Sequence, residues 1–275
     1  MKIAFTTLGC PTWDLDTICR KAREYGFDGV DFRGLQGQID VTLSPEFTRD
    51  LALTKRKLAD ARIVVSGISS SIKLCEASRL RENIEEARRT IPMARELGVA
   101  AIRVFGGGDV EVHSKEELAA IGERTMAAVL ELHGARTLRW AFETHDHWIS
   151  SADCKVLLDR IPDPAFGALW DLGHTARVGG EAPKETMRAL GDRIFYLHVK
   201  DALYDPDHPQ AMEDGWRYVT PGTGQLPLAE GIGLLRKQGY DGWLIFEHEK
   251  RWHPELPEPE ETLPQFVTWI RAILE

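Results

Sequence analysis

The chain has 275 residues, enough for one large α/β domain or two small ones. Hydrophobic residues make up 43% of the chain and charged residues 28%, which fits a folded protein with a sizeable core. The formal net charge of -9 disfavours a general nucleic-acid binder, because such proteins display basic surfaces.

The cysteines and the apolar runs exclude further classes. The four cysteines are scattered without a Cys-x-x-Cys pair, so neither a thiolate zinc site nor a disulfide framework is indicated. The opening residues hold no apolar stretch of signal-peptide length, and no run of about 18 apolar residues spans a bilayer. We therefore expect a cytoplasmic protein with no membrane partner.

Apolar strand-like runs alternate along the chain with segments of helical period, which is typical of a parallel sheet with crossover helices. The predicted strands are 2–7, 29–33, 62–70, 100–105, 138–143, 166–171, 194–200 and 242–247. The predicted helices are 15–25, 45–61, 78–97, 115–133, 152–160, 183–190, 225–238 and 260–274. Eight strand–helix units predict an α/β fold, a single-domain (β/α)8 TIM barrel over residues 1–275.

Helix boundaries are marked by capping residues. Asp14 is an N-cap before the first helix and Gly26 ends it, while Ser114 and Glu117 have the spacing of a capping box. Pro92 falls inside the third predicted helix, where a kink is expected.

Four predicted strands end in ionisable residues. In the seventh, apolar residues alternate with His198 and Lys200, so both point to the face opposite that of the apolar residues. Glu143, Asp171 and Glu247 end the fifth, sixth and eighth strands in the same way. The carboxyl ends of barrel strands are where such enzymes collect catalytic residues, so this set is a candidate site.

The chemistry of this set indicates a metal. Three carboxylates that converge on one point repel one another and raise each other's pKa unless a cation neutralises them. Glu143, Asp171, His198 and Glu247 together suit one divalent ion, Mn2+, Mg2+, Co2+ or Zn2+, with open positions for substrate oxygens. Any one of them alone would more often be a structural ion pair or a cap, and the matched strand ends favour the metal.

Four short motifs carry a family resemblance. Glu-x-His at 143–145, Asp-x-x-His at 171–174, His-x-Lys-Asp at 198–201 and Glu-x-Glu at 247–249 occur in this order. Together they resemble the xylose isomerase-like barrel superfamily, which includes sugar phosphate isomerases/epimerases, ketose 3-epimerases, inosose dehydratase and hydroxypyruvate isomerase. The resemblance covers the whole chain, strand by strand.

The resemblance implies roles for individual residues. Glu143, Asp171, His198 and Glu247 match the ligands of one divalent metal ion, and Glu143 and Glu247 also match the pair that exchanges protons with carbon on opposite faces of a sugar. His174 matches a position that contacts a substrate oxygen. His145 and Lys200 are candidates for further substrate contacts, or are hydrogen-bonded residues of the barrel mouth.

Arginines and tryptophans add weaker candidates. Arg33 and Arg103 lie near predicted strand ends, where either could bind an anionic or polyol substrate or pair with a carboxylate such as Asp31. Trp216 and Trp252 could stack on a sugar ring or belong to the core.

Two connections, 202–224 and 248–260, are longer than such barrels usually require. Both follow site-bearing strands, so we weigh a lid over the barrel mouth against decoration or an oligomer contact. A homo-oligomer is left open.

One member of the superfamily, endonuclease IV, needs a three-metal cluster with an Asp-x-His after the seventh strand. Here Lys200 and Asp201 follow His198, and the third and fourth predicted strands end without histidines. Nuclease activity and a nucleic-acid partner are therefore not expected.

The first hypothesis is a metal-dependent sugar or sugar phosphate isomerase/epimerase with a small polyol or ketose substrate. The second is a keto-inositol dehydratase, which the His-x-Lys-Asp motif favours slightly. A hypothesis of another class is a carbohydrate-binding barrel that has lost turnover.

Overall fold

The computed structural model describes residues 1–99 and 101–275. Its strands are β1 (Lys2–Thr6), β2 (Gly29–Phe32), β3 (Val64–Lys73), β4 (Ala101–Phe105), β5 (Arg139–Glu143), β6 (Phe166–Asp171), β7 (Ile194–Val199), β8 (Asp201–Tyr204), β9 (Trp216–Val219) and β10 (Trp243–Phe246). All but β8 and β9 are parallel and close into a barrel in the order β1-β10-β7-β6-β5-β4-β3-β2. The predicted single-domain α/β TIM barrel is confirmed.

Helices connect the strands. They are α1 (Leu15–Tyr25), α2 (Leu51–Ala61), α3 (Leu80–Leu97), α4 (Lys115–Leu130), α5 (Ser151–Arg160), α6 (Leu172–Arg177), α7 (Pro183–Leu190), α8 (Leu228–Lys237) and α9 (Pro259–Leu274). The predicted caps are present: the Thr17 N–H donates to Asp14 Oδ1 at 2.8 Å, Gly26 adopts φ 86°, and Ser114 and Glu117 form the capping box. Within the described residues, none of these helices combines the length and apolar character needed to cross a membrane.

Some boundaries differ from the prediction. The helix expected over 45–61 is interrupted after a short 3-10 turn, Pro45–Phe47, and resumes as α2. Strand β3 continues to Lys73, past the predicted end at residue 70. Helix α6 and the hairpin β8–β9 were not predicted, and the fourth strand was predicted from residue 100, which lies outside the described residues.

The barrel interior is filled near the amino ends of its strands. An inner cluster is separate from the larger core between the barrel and the helices, and it contains Ala4, Ala101, Ala141, Leu169, Tyr196, Trp243 and Ile245. Two large aromatic side chains, Tyr196 and Trp243, belong to this buried cluster, so little space is left at this end. The polar side chains of the interior are therefore gathered towards the carboxyl ends.

Asp201, the last residue of the His-x-Lys-Asp motif, has a structural role. Its buried carboxylate accepts backbone N–H groups of Gly222 and Gly224 at 2.9 Å, of Ala202 at 2.9 Å and of Leu226 at 3.2 Å. A Cβ at Gly224 would lie 2.2 Å from Asp201 Oδ1, so a side chain there would displace this contact. Asp201 thus fastens the end of the long 202–224 connection next to β7.

Candidate metal centre

Strand register brings the four predicted ligands together. Asp171 at the end of β6 pairs in register with His198 of β7, Glu143 ends β5, and Glu247 follows β10. All four side chains are buried, and one candidate ligand atom from each lies within 4.8 Å of the others. Because inward positions alternate along each strand, this convergence follows from the barrel geometry.

His198 links two of the carboxylates. Its Nδ1 lies 3.0 Å from Glu143 Oε1 and 3.3 Å from Glu247 Oε2. The two carboxylates raise the pKa of His198 well above its usual value, although burial alone would lower it. The imidazolium form is therefore favoured in the metal-free protein.

Lys200 supplies a second positive charge. Its Nζ lies 2.9 Å from Asp171 Oδ2, 2.6 Å from Glu247 Oε2 and 2.7 Å from Glu249 Oε1. Burial would lower the pKa of Lys200, but these carboxylates raise it well above its usual value. The ammonium group is thus held charged beside the ligand cluster.

His174 and Thr144 orient this arrangement. Lys200 Nζ lies 3.2 Å from His174 Nε2, and His174 Nδ1 lies 3.1 Å from the Thr144 carbonyl oxygen. These contacts fit a neutral imidazole that donates through Nδ1 and accepts through Nε2. Burial, Lys200 and a neighbouring histidine lower the pKa of His174 to about 3, which favours the same neutral form. The Thr144 hydroxyl also accepts the Asp171 backbone N–H at 2.9 Å.

The carboxylates differ in their proton affinity. Burial raises the pKa of Asp171 to about 6, with Lys200 and His198 acting downward and Glu247 and Glu143 acting upward. Burial also acts upward on Glu143 and Glu247, but neighbouring cations outweigh it and keep both pKa values below the usual range. Both glutamates are therefore held ionised.

The donor set fits a divalent metal ion. Asp171 Oδ2, Glu247 Oε2 and His198 Nε2 are buried and accept or donate no hydrogen bond within the described residues, although the two oxygens are at ion-pair distance from Lys200. Three carboxylates and an imidazole are ligands that Mn2+, Mg2+, Co2+ and Zn2+ accept. A doubly charged ion would also offset the remaining negative charge around Lys200.

The other predicted contact residues surround a cavity of about 380 Å³ that opens from the cluster. Arg103 is 2% exposed, with Nε 3.4 Å from Glu143 Oε2 and its guanidinium 3.7 Å from the Phe105 ring centroid. His145 lines the same cavity, with Nδ1 2.8 Å from Asp146 Oδ1. Trp252 forms part of the wall and is 54% exposed, so it lies at the rim.

Two residues of the site were not singled out from the sequence. Glu249 belongs to the Glu-x-Glu motif and is the ion-pair partner of Lys200, a role that its position two residues after Glu247 hints at. Tyr218 of β9 places its ring 5.7 Å from Lys200 Nζ and 5.3 Å from the ring of His253. No local sequence signal marks Tyr218, because its contacts join distant segments.

These contacts show that both long connections reach the same part of the site. Tyr218 comes from the hairpin of the first connection and His253 from the second. The two segments therefore form part of the wall around Lys200. Their movement as a lid stays a prediction.

Comparison with known proteins gives a consistent family. The model of the xylose isomerase-like TIM barrel matches residues 19–273. An inosose dehydratase of Geobacillus kaustophilus is 33% identical over 241 residues, covering 78% of this chain and 77% of that protein. An inosose dehydratase of Lacticaseibacillus casei is 27% identical over 128 residues, covering 42% of this chain and 43% of its own length.

Solved structures agree in fold. The probable 3-DHS dehydratase AsbF of Bacillus anthracis superposes with a TM-score of 0.79 at 17% identity, over 98% of this chain and 99% of that one. The IOLI protein with a bound zinc atom gives a TM-score of 0.76 at 16% identity, over 100% and 96% of the two chains. By sequence and by architecture, the chain belongs to the xylose isomerase-like TIM barrel family.

Proposed function

We propose that the protein is a divalent-metal-dependent enzyme that moves a proton on the carbon next to the carbonyl of a sugar-like hydroxyketone. The observation that carries this proposal is the convergence of Glu143, Asp171, His198 and Glu247 within 4.8 Å in a buried position open to a cavity. A metal held by these residues would polarise the substrate carbonyl and make the neighbouring C–H more acidic.

The glutamates are the proposed catalytic pair. Arg103 and His198 keep the pKa of Glu143 low, and His198 and Lys200 do the same for Glu247. Both carboxylates are thus unprotonated before the reaction, and either can accept the proton from carbon. The second glutamate can then transfer a proton at the opposite face of the substrate.

Two fates of the deprotonated substrate define the two enzymatic hypotheses. Return of a proton to carbon gives an isomerase or epimerase, whereas departure of a neighbouring hydroxide gives a dehydratase. The His-x-Lys-Asp motif at 198–201 favours dehydration slightly, because it resembles the inosose dehydratase pattern. The inosose dehydratase of G. kaustophilus, at 33% identity, supports the same outcome.

The testing experiment incubates the Mn2+-loaded protein in deuterated water with ketoses and keto-inositols. Mass spectrometry then separates the hypotheses. Isomerisation or epimerisation replaces one hydrogen of the sugar by deuterium and loses no other atom, whereas dehydration removes a water molecule. We expect Glu143→Gln and Glu247→Gln each to lower the rate roughly a thousandfold, within the range for loss of a general base.

Glu131→Gln, at an exposed position after α4, is the matched control and should retain the full rate. If the wild-type protein binds ketoses but shows neither exchange nor loss of water, the proposal of an enzyme is wrong and a carbohydrate-binding barrel is favoured.

A further inference from the structure

The cavity beside the candidate metal centre carries positive side chains on its β2–β4 side. Arg33, Lys73 and Arg103 all line it. Lys73 Nζ is 3.1 Å from Glu76 Oε1, and Arg103 Nε is 3.4 Å from Glu143 Oε2. Arg33 differs from both, because it forms no ion pair with a carboxylate of residues 1–99 or 101–275.

Arg33 is nonetheless held in place. Its Nη1 donates to the Ser71 hydroxyl at 2.9 Å and lies 3.5 Å from the Ser69 carbonyl oxygen, and its backbone N–H donates to the Thr7 hydroxyl at 2.9 Å. These partners are neutral, so they position the guanidinium group without neutralising its charge. The carboxylates of Glu86, Glu143 and Asp31 act on Arg33 only from beyond ion-pair distance, so its guanidinium group is a fixed charge in the cavity wall that can bind a ligand.

Arg103 offers a second guanidinium group with free N–H groups. Its side chain is 2% exposed, and its Nε and Nη1 make no hydrogen bond with any described residue. Burial and the neighbouring Arg103 lower the pKa of Arg33 to about 10, against the upward effects of Glu86, Glu143 and Asp31, so Arg33 stays charged at neutral pH and lies close enough to Arg103 for the two charges to repel. An anion between them would relieve this repulsion, which a neutral hydroxyl would not do.

We propose that Arg33 and Arg103 form an anion subsite that selects hydroxyketones carrying a carboxylate or a phosphate group. Guanidinium groups match the oxygens of either anion with paired N–H donors. The inference rests on the proposed function, because the same molecule must present its carbonyl to Glu143 and Glu247.

The experiment measures binding to the full Mn2+-loaded chain by isothermal titration calorimetry. The ketose probes are D-fructose, D-fructose 6-phosphate and D-fructuronate, which differ only at the last carbon, and the carbocyclic probes are neutral scyllo-inosose and the carboxylate 3-dehydroshikimate. We expect at least one anionic probe to bind about tenfold or more tightly than its neutral counterpart, as loss of a charged hydrogen bond would predict. The phosphate and carboxylate arms identify which anion is preferred.

Variants of Arg33 test whether the preference for anionic probes comes from the subsite. Arg33→Gln should remove the advantage of the anionic probe and leave the neutral probe within about twofold, whereas Arg33→Lys should keep part of it. Arg124→Gln, on the exposed face of α4, controls for a general change in charge. Thermal unfolding of each variant verifies the fold.

Two results would overturn the inference. Equal binding of neutral and anionic probes to the wild type is one, and an equal loss of all probes in Arg33→Gln, which indicates a packing role, is the other. If a neutral ketone still exchanges deuterium in these cases, the anion subsite is wrong while the proposed function stands. If no probe binds the metal-loaded protein at all, both are wrong.

Discussion

The two sides of the barrel mouth differ in charge and in how their charges are compensated. Strands β5, β6, β7 and β10 lead to carboxylates that share His198 and Lys200 among them. Strands β2, β3 and β4 lead to cations, of which Arg33 has only neutral hydrogen-bond partners. The first side is a network in which each group sets the proton affinity of the next, whereas on the second side Lys73 and Arg103 each face one carboxylate and Arg33 faces none within ion-pair distance.

This difference indicates how the two sides can divide the work. A crowded acidic cluster suits a metal ion and proton transfer, since removing any member changes the others. A separate cation suits recognition, since its loss changes binding without disturbing the chemistry.

The largest effect is expected at the centre of the acidic side. Asp171→Asn removes a buried ligand and leaves Lys200 with fewer carboxylates, so metal affinity should fall by at least about 100-fold. Metal content after dialysis and calorimetric titration with Mn2+ measure the loss. Asp159→Asn, an exposed carboxylate paired with Lys155, is the control. Unchanged metal retention in Asp171→Asn would contradict the assigned ligand set.

Competition between protons and the metal ion for the same ligands is expected to give the second-largest effect. The pKa of His198 is raised well above its usual value by Glu143 and Glu247, and burial raises that of Asp171 to about 6. A metal must displace these protons, so its affinity should fall as pH is lowered, by about tenfold per pH unit for each proton displaced. Titrations between pH 8 and pH 5.5, in buffers of different ionisation enthalpy, measure both the affinity and the released proton. A pH-independent affinity would show that the ligands are already unprotonated.

The smallest effect is expected where the two sides meet, at Arg103. This guanidinium lowers the pKa of Glu143, so Arg103→Gln should raise that pKa and shift the acidic limb that Glu143 sets in the rate profile to higher pH. The rate should therefore fall at low pH and recover as pH rises, because the base must be ionised. Arg103→Lys, which keeps a charge, should shift the limb less. An unshifted limb in Arg103→Gln would show that Arg103 does not act through Glu143.

The barrel and the acidic cluster can be predicted from the sequence, because both follow from local periodicity. Alternation of side chains along a strand assigns His198 to the interior, and the end of each apolar run marks where Glu143 and Asp171 lie. No long-range contact had to be known, since a closed parallel barrel brings all strand ends together.

The features that the sequence did not reveal depend on contacts between distant segments. The hairpin β8–β9 pairs Asp201 with Val219 across a long connection without a short turn signal. Helix α6 is an exception with a local cause, because Asp171 ends β6 and also accepts the His174 N–H as the N-cap of the helix. Arg33 was ambiguous, because only the folded chain shows that Asp31 bonds to Ser69 instead.

The carboxylate of Asp201 has a consequence for how this protein can diversify. Four backbone N–H groups donate to it, three of them from residues 222–226. Both ends of the 202–224 connection are therefore fixed close to the end of β7, which carries His198. The tip of this connection, around residues 205–215, is held by the hairpin and by surface contacts that include Asp214 with Arg177 and Gln210 with the Glu255 carbonyl oxygen. Insertions and substitutions at the tip can thus reshape the approach to the cavity during evolution while the ligand geometry stays constant.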